Sequence, residues 1–177
     1  MTILIGLRTP SSAVLGADSQ LNWGDTKILG SKKLFEIGRF ILGISGPARL
    51  GTLLVEAKQK LNRVTTPGGV AKTLKDLISA DDWKVDETAS GPRCSDVSIL
   101  LCNTRTGGLY WLDGSFSVEE VSIGHFICLG AGDDIATGAM AALDTLEPKD
   151  RVRRALGIAC QFNAACGGEL VVREVEA

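Results

Sequence analysis

Apolar positions along the chain change rhythm three times, and each change predicts a different kind of element. From Thr2 to Ser19, two apolar runs (Ile3-Leu4-Ile5-Gly6-Leu7 and Ala13-Val14-Leu15-Gly16-Ala17) flank Thr9-Pro10-Ser11-Ser12. Two such runs around a Pro/Ser turn predict a β-hairpin. A turn centred near Pro10-Ser11 sets Thr2 opposite Ser19 and beside Asp18, with directly opposed Cβ atoms about 4.5–5.5 Å apart. Ser19 to Asp25 is polar with one Trp and one Gly, and predicts a loop. Lys27 to Ile37 predicts a strand that returns as Phe40-Ile41-Leu42-Gly43-Ile44 around Gly38-Arg39, where Gly38 supplies the positive φ of a tight turn. This second turn pairs Lys33 with Ile44 and Leu34 with Gly43, making Lys33 and Gly43 cross-strand neighbours.

The period then lengthens. After Gly43-Ile44-Ser45-Gly46-Pro47, apolar residues recur at helical spacing: Leu50, Leu53, Leu54, Ala57 and Leu61. Thr66-Pro67 is a helix start, with Thr as cap and Pro at the first position, and Val70, Leu74, Leu77 and Ile78 form that helix's apolar face. Asp81 to Arg93 is charged, with Gly and Pro late, and predicts a loop. Strand patterning resumes at Val97–Cys102, Leu109–Leu112, Phe116–Val121 and Phe126–Leu129. Gly130-Ala131-Gly132 leads into a small-residue helix over Ile135–Leu146. Another helix starts near Pro148 and carries Val152, Ala155, Leu156 and Ala159. Gly167-Gly168 breaks it ahead of a last strand, Leu170 to Val175. Two antiparallel sheets between pairs of helices bury all these faces, an α+β architecture of one domain over residues 1–177.

Bulk properties narrow the function. With 177 residues, 45% of them hydrophobic, the chain can bury a sizeable core. A net charge of −2 argues against a general nucleic-acid or membrane-surface partner. No window approaches eighteen uninterrupted apolar residues, and no charged segment precedes an apolar one at the start, so neither a membrane span nor a signal segment is expected. Five scattered cysteines without a C-x-x-C predict reduced thiols and a cytoplasmic location. One histidine, His125, cannot support a multi-histidine site, and no metal or cofactor is expected.

Thr2 follows a lone Met. Removal of Met1 would leave a threonine with a free α-amine, whose ordinary pKa is about 7.7–8.0. A hydroxyl and a base would then share one residue, the arrangement of an N-terminal nucleophile. Equally, Thr2 read alone is an ordinary residue at the start of a buried strand.

The ordered set Thr2, Gly16-Ala17-Asp18-Ser19-Gln20, Gly24, Lys32-Lys33-Leu34-Phe35, Gly43-Ile44-Ser45-Gly46-Pro47-Ala48, Leu129-Gly130-Ala131-Gly132 and Cys166-Gly167-Gly168 resembles the proteasome β-subunit and HslV peptidase family. The likeness spans essentially the whole chain, and in length it looks most like HslV and the compact bacterial proteasome homologues. It implies a four-layer αββα N-terminal-nucleophile hydrolase fold. It also implies homo-oligomeric stacked rings (roughly 12 or 14 subunits), an ATPase unfoldase as possible partner, and peptide or unfolded protein as substrate. By the same resemblance Thr2 is the nucleophile, Lys33 lowers the pKa of the threonine system, and Asp18 keeps Lys33 charged. Gly43 N–H is the implied oxyanion donor, with Gly46 as the second candidate. Gln20, Leu21 and Asn22 line the substrate's path, and Leu21, Ser31, Ile41 and Ser45 form a pocket for small to medium apolar side chains.

Three positions depart from the family's pattern. The serine near the threonine amine is Ala131 here, and the aspartate and serine of its Asp-x-x-Ser-Gly-Gly motif are Asn163 and Cys166. These changes predict a weak or narrow threonine peptidase. A ring subunit without turnover and an N-terminal-nucleophile amidase acting on a small molecule are the alternatives.

Overall fold

The computed structural model describes residues 2–80, 86–88, 91–93 and 97–177. Met1, whose removal the chemistry above requires, lies outside the described residues. So does Cys94.

Both predicted hairpins form in the expected register. Strand β1 (Ile3–Arg8) pairs with β2 (Ser12–Ala17), Leu4 facing Ala17 and Ile5 facing Gly16. Beyond the paired ends, Asp18 N–H donates to the Ile3 carbonyl at 3.3 Å, carrying the register on to Thr2 and Ser19. After two short strands, β3 (Leu21–Trp23) and β4 (Thr26–Ile28), strand β5 (Leu34–Ile37) meets β6 (Phe40–Ser45) around Gly38, which has φ +60. Leu34 faces Gly43, and Ile44 N–H donates to the Lys33 carbonyl at 3.0 Å.

Helices α1 (Ala48–Glu56), α2 (Lys58–Leu61) and α3 (Pro67–Ala80) follow. Thr66 caps α3, its Oγ1 accepting from Gly69 N–H at 3.2 Å. A small ladder, β7 (Asp86–Thr88) with β8 (Gly91–Arg93), precedes β9 (Ser98–Asn103), β10 (Leu109–Leu112), β11 (Val118–Glu120) and β12 (Phe126–Gly130). Then come α4 (Asp133–Ala142), with acidic residues in its first turn, α5 (Pro148–Phe162), with Pro at its start, and β13 (Val171–Glu176).

One sheet runs β12-β1-β2-β13 and the other β11-β10-β9-β6-β5. Strand alternation divides the buried side chains into three cores, one for each interface between layers. Ile3, Ile5, Leu7 and Val14 face α4 and α5, packing with Met140, Val152 and Leu156. Leu4, Leu15, Ile41, Leu100 and Leu109 fill the space between the sheets. Phe40, Leu42, Ile44, Ile99 and Leu101 face α1 to α3, against Leu50, Leu54, Leu74 and Ile78. Helix, sheet, sheet, helix is the αββα sandwich that the pattern predicted.

Four local expectations are corrected. The predicted loop after Asp18 contains β3, which pairs with β4 as a hairpin of its own, with Trp23 facing Thr26 across Gly24. The strand expected over Lys27–Ile37 is two strands: residues 29 to 33 are not in a ladder, and β5 starts at Leu34. The apolar series Leu50 to Leu61 breaks at Ala57 into α1 and α2. Within the predicted loop Asp81–Arg93 lies the β7–β8 ladder. Each miss involves strands of three residues or a one-residue helix break, too short to imprint a period on the sequence. Among the described residues no helix is long and apolar enough to cross a membrane.

Candidate active site

Thr2 sits at the mouth of the central strand β1, between the ends of β2 and β12, and is 1% exposed. On the β2 side lies Asp18, also 1% exposed. Its Oδ1 accepts from Ile3 N–H at 3.1 Å, and its Oδ2 accepts from Gly167 N–H at 2.9 Å and Gln20 N–H at 3.4 Å. One carboxylate thus ties the start of β1, the exit of β2 and the turn after α5.

On the β12 side the chain turns at Gly130, which has φ +102. A Cβ there would lie 2.1 Å from the Thr2 carbonyl oxygen, so only glycine fits. Ala131 N–H donates to that same carbonyl at 2.8 Å. The Ser45 hydroxyl lies at the same spot, 3.0 Å from where a Gly130 side chain would be.

Lys33 is 7% exposed, whereas its neighbour Lys32 is exposed with its ammonium 5.2 Å from the centre of the Phe35 ring. The paired lysines therefore have different environments. Burial pushes the Lys33 pKa down, against the nearby Asp18 charge. Burial likewise pushes the Asp18 pKa up, against three backbone donors and the Lys33 charge. Each group thus shields the other from part of its desolvation.

Two cavities open beside the pair. The larger, about 510 Å³, is lined by residues that include Asp18, Ser19, Ser31, Lys33, Lys58, Glu169 and Arg173. The smaller, about 50 Å³, is lined by residues that include Ser31, Lys33, Ile44, Gly46, Pro47 and Ala48.

Of the expected pocket residues, Ser31 lines both cavities and Gly46 the smaller. Ile41 does not line either: it is 5% exposed and belongs to the core between the sheets. Strand parity is the reason, since Ile41, Gly43 and Ser45 point to one face of β6 and Ile44 to the other. Ile44, missed from the sequence, is the β6 side chain that lines the small cavity. Ser45 points instead toward Gly130. Leu21 is half-buried on β3, facing Ile28, and lines neither cavity.

Gly43 is also corrected. It is an interior residue of β6, with Leu34 on one side and Leu100 on the other. Because Ile44 N–H points to β5, the alternation of an antiparallel strand turns Gly43 N–H toward β9. A Cβ at Gly43 would press on Leu34, Leu4 and Leu100 at 3.2–3.4 Å, so this glycine serves the close packing of the sheets. Gly46, just past the end of β6, is the backbone position that opens on the cavity beside Lys33.

Gln20 and Asn22 brace the loop after α5. Gln20 Nε2 donates to Asn22 Oδ1 at 2.8 Å and to the Ala164 carbonyl at 2.9 Å, while Asn22 Nδ2 donates to the Ala165 carbonyl at 3.0 Å. Asn163 bridges both ways: its Nδ2 donates to the Ala131 carbonyl and its Oδ1 accepts from Ala165 N–H at 2.9 Å. An ionised aspartate could not make the first of these bonds. Cys166 is 3% exposed in the α4–α5 core, and burial, then the Asp18 charge, pushes its thiol up to about 12. It is a packed side chain rather than a reactive thiolate.

The sandwich with a threonine at the head of its central strand is the N-terminal-nucleophile hydrolase architecture. Its likeness to known proteins follows that fold. The chain is 25% identical over 170 residues to the ATP-dependent protease subunit HslV of Sulfurovum sp. (strain NBC37-1), covering 89% of each chain. It is 25% identical over 165 residues to the HslV of a Nitratiruptor species, covering 89% of this chain and 88% of that one. Among solved structures, Thiobacillus denitrificans BPH in complex with epoxomicin superposes with a TM-score of 0.81 at 19% identity, over 98% of both chains. The eukaryotic HslV of Trypanosoma brucei superposes with a TM-score of 0.68 at 20% identity, over 99% of both. No family model matches the sequence. By sequence the chain is similar to HslV protease subunits, and by fold to HslV and to BPH.

Proposed function

We propose that this protein is a threonine-type peptidase subunit whose nucleophile is Thr2, exposed by removal of Met1. The observation that carries this reading is the setting of Thr2. It heads the central strand, held through its carbonyl by Ala131 N–H, with the buried Asp18 carboxylate on the next amide, Ile3 N–H, and within electrostatic reach of Lys33.

With Met1 gone, the α-amine takes the proton of Thr2 Oγ1 as that oxygen attacks a peptide carbonyl. The buried Lys33 charge disfavours the ammonium and so keeps the amine available as a base near neutral pH. Gly46 N–H, in preference to Gly43 N–H, stabilises the oxyanion. A donor of this kind contributes about 2.7–4 kcal/mol to the transition state. The amine then protonates the leaving group, and water, deprotonated by the same amine, releases the acyl chain and restores Thr2.

Gln20 and Asn22 act through the backbone they brace, since their side chains are committed to residues 164 and 165. Ser31, Ile44 and Ala48 make the side-chain pocket, whose small size favours short apolar residues. The curated relatives are named ATP-dependent protease subunits, and a ring of such subunits fed by an ATPase fits this chain as well.

A second reading, a ring subunit without turnover, draws on the near-complete burial of Thr2. Intact-mass measurement of protein from its own host, before and after treatment with epoxomicin, separates the two. Loss of Met1 and an adduct absent from Thr2→Ala support the peptidase. Retention of Met1 on most molecules, or no adduct, overturns it.

A further inference from the structure

Ser45 is 8% exposed, and its hydroxyl is not an orphaned group: among the described residues no buried side-chain nitrogen or oxygen lacks a partner. Most buried polar side chains around it are committed. Asp18 accepts three backbone donors, Ser19 Oγ accepts from Glu169 N–H at 2.8 Å, and Gln20 spans to Ala164.

The place where this hydroxyl points is specific. Gly130 has only a hydrogen where a side chain would otherwise stand, and the Thr2 carbonyl and Ser45 Oγ converge on that gap, at 2.1 and 3.0 Å from the absent Cβ. The approach comes from the other sheet: Ser45 ends β6, while Gly130 ends β12. The turn that holds Thr2 offers no hydroxyl of its own, because residues 130 to 132 are Gly-Ala-Gly and Ala131 packs with the α4–α5 core. Ser45 therefore brings a hydroxyl of the facing sheet to the head of β1, immediately before Gly46.

We infer that Ser45 is a positioning residue for the Thr2 α-amine: once Met1 is removed, its Oγ accepts an N–H of that amine and turns the nitrogen lone pair toward Thr2 Oγ1. This rests on the proposal that Thr2 is the nucleophile. It replaces the expectation that Ser45 lines the specificity pocket. A positioning hydroxyl changes the rate of acylation, whereas a pocket residue changes which side chains are accepted.

The test uses full-length, Met1-processed protein as wild type, Ser45→Ala and Ser45→Thr. Epoxomicin adduct formation is followed by intact mass, and the Thr2 α-amine is titrated by NMR of ¹⁵N-threonine-labelled protein. Ser45→Ala is expected to slow adduct formation about tenfold, the factor that one ordinary hydrogen bond is worth. It is also expected to lower the amine pKa, since an acceptor favours the ammonium. Ser45→Thr keeps both close to wild type, and melting temperatures stay together. Equal amine titrations in all three proteins overturn the role of Ser45 even if none forms an adduct. Adduct in wild type with an equal rate in Ser45→Ala overturns it while leaving the peptidase reading intact. No adduct in wild type with a shifted amine in Ser45→Ala keeps the contact and sinks the peptidase.

Discussion

Asp18 joins two tasks in one side chain, and its substitutions separate them. Asp18→Ala leaves the amides of Ile3, Gln20 and Gly167 without their acceptor in a buried place. We predict a loss of roughly 2–4 kcal/mol, read by denaturant unfolding. Asp18→Asn keeps one acceptor oxygen but removes the negative charge that holds the Lys33 pKa up. The Lys33 pKa then falls further, so the loss of activity on the alkaline side moves to lower pH in a pH–rate profile. An unmoved profile would detach Lys33 from the chemistry. Linkage has a definite sign here. Burial depresses the Lys33 pKa, so the folded state gains stability as pH rises through the folded pKa toward the ordinary 10.5. Lys33→Met is expected to abolish adduct formation, and, because it leaves the buried Asp18 carboxylate without its counter-charge, to lower the melting temperature as well. Asn163→Asp exchanges the donor to the Ala131 carbonyl for an acceptor. It is expected to cost about 1–3 kcal/mol near neutral pH, with the penalty shrinking in acid as the new carboxyl gains a proton to donate.

At the level of elements, the structure rests on where two hairpins turn. Turn positions fix every pair in a hairpin, so the facing of Leu34 and Gly43, and the approach of Asp18 to the start of β1, were legible from Pro10 and Gly38 alone. What lay beyond reach was the partner across the other edge. Nothing near Gly43 in sequence says that β9, far along the chain, takes its amide, and nothing near Ser45 says that Gly130 leaves a gap for its hydroxyl. The same parity that sends Ile41 into the core between sheets brings Ile44 to the small cavity, and a pattern of continuous apolar residues hides parity. The glycine turn at the end of β12 makes the element-scale test. Gly130→Ala places a methyl carbon on the Thr2 carbonyl at a φ of +102. It is expected to displace the head of β1, eliminating adduct formation and lowering stability by about 3 kcal/mol or more. An active, stable Gly130→Ala would mean that the turn does not hold Thr2.

For the whole molecule, three cores between four layers explain why the chain tolerates a buried charge pair at one end of its central strand. The sandwich is closed by apolar contact elsewhere, and the candidate site lies at the open end of the sheets. Several large apolar side chains remain in water, Trp23 at 76%, Leu29 at 65% and Phe162 at 71% exposure. Native mass spectrometry is expected to give a closed multiple of the 18.7 kDa subunit, and a monomer at working concentration would contradict the ring.

The central claim is that Thr2, freed of Met1, is the nucleophile. Peptide mapping of epoxomicin-treated protein tests it most directly. The account predicts modification of an N-terminal peptide that begins at Thr2, absent from Thr2→Ala. An N-terminal peptide that still carries Met1, or modification at Cys166 instead, would contradict it.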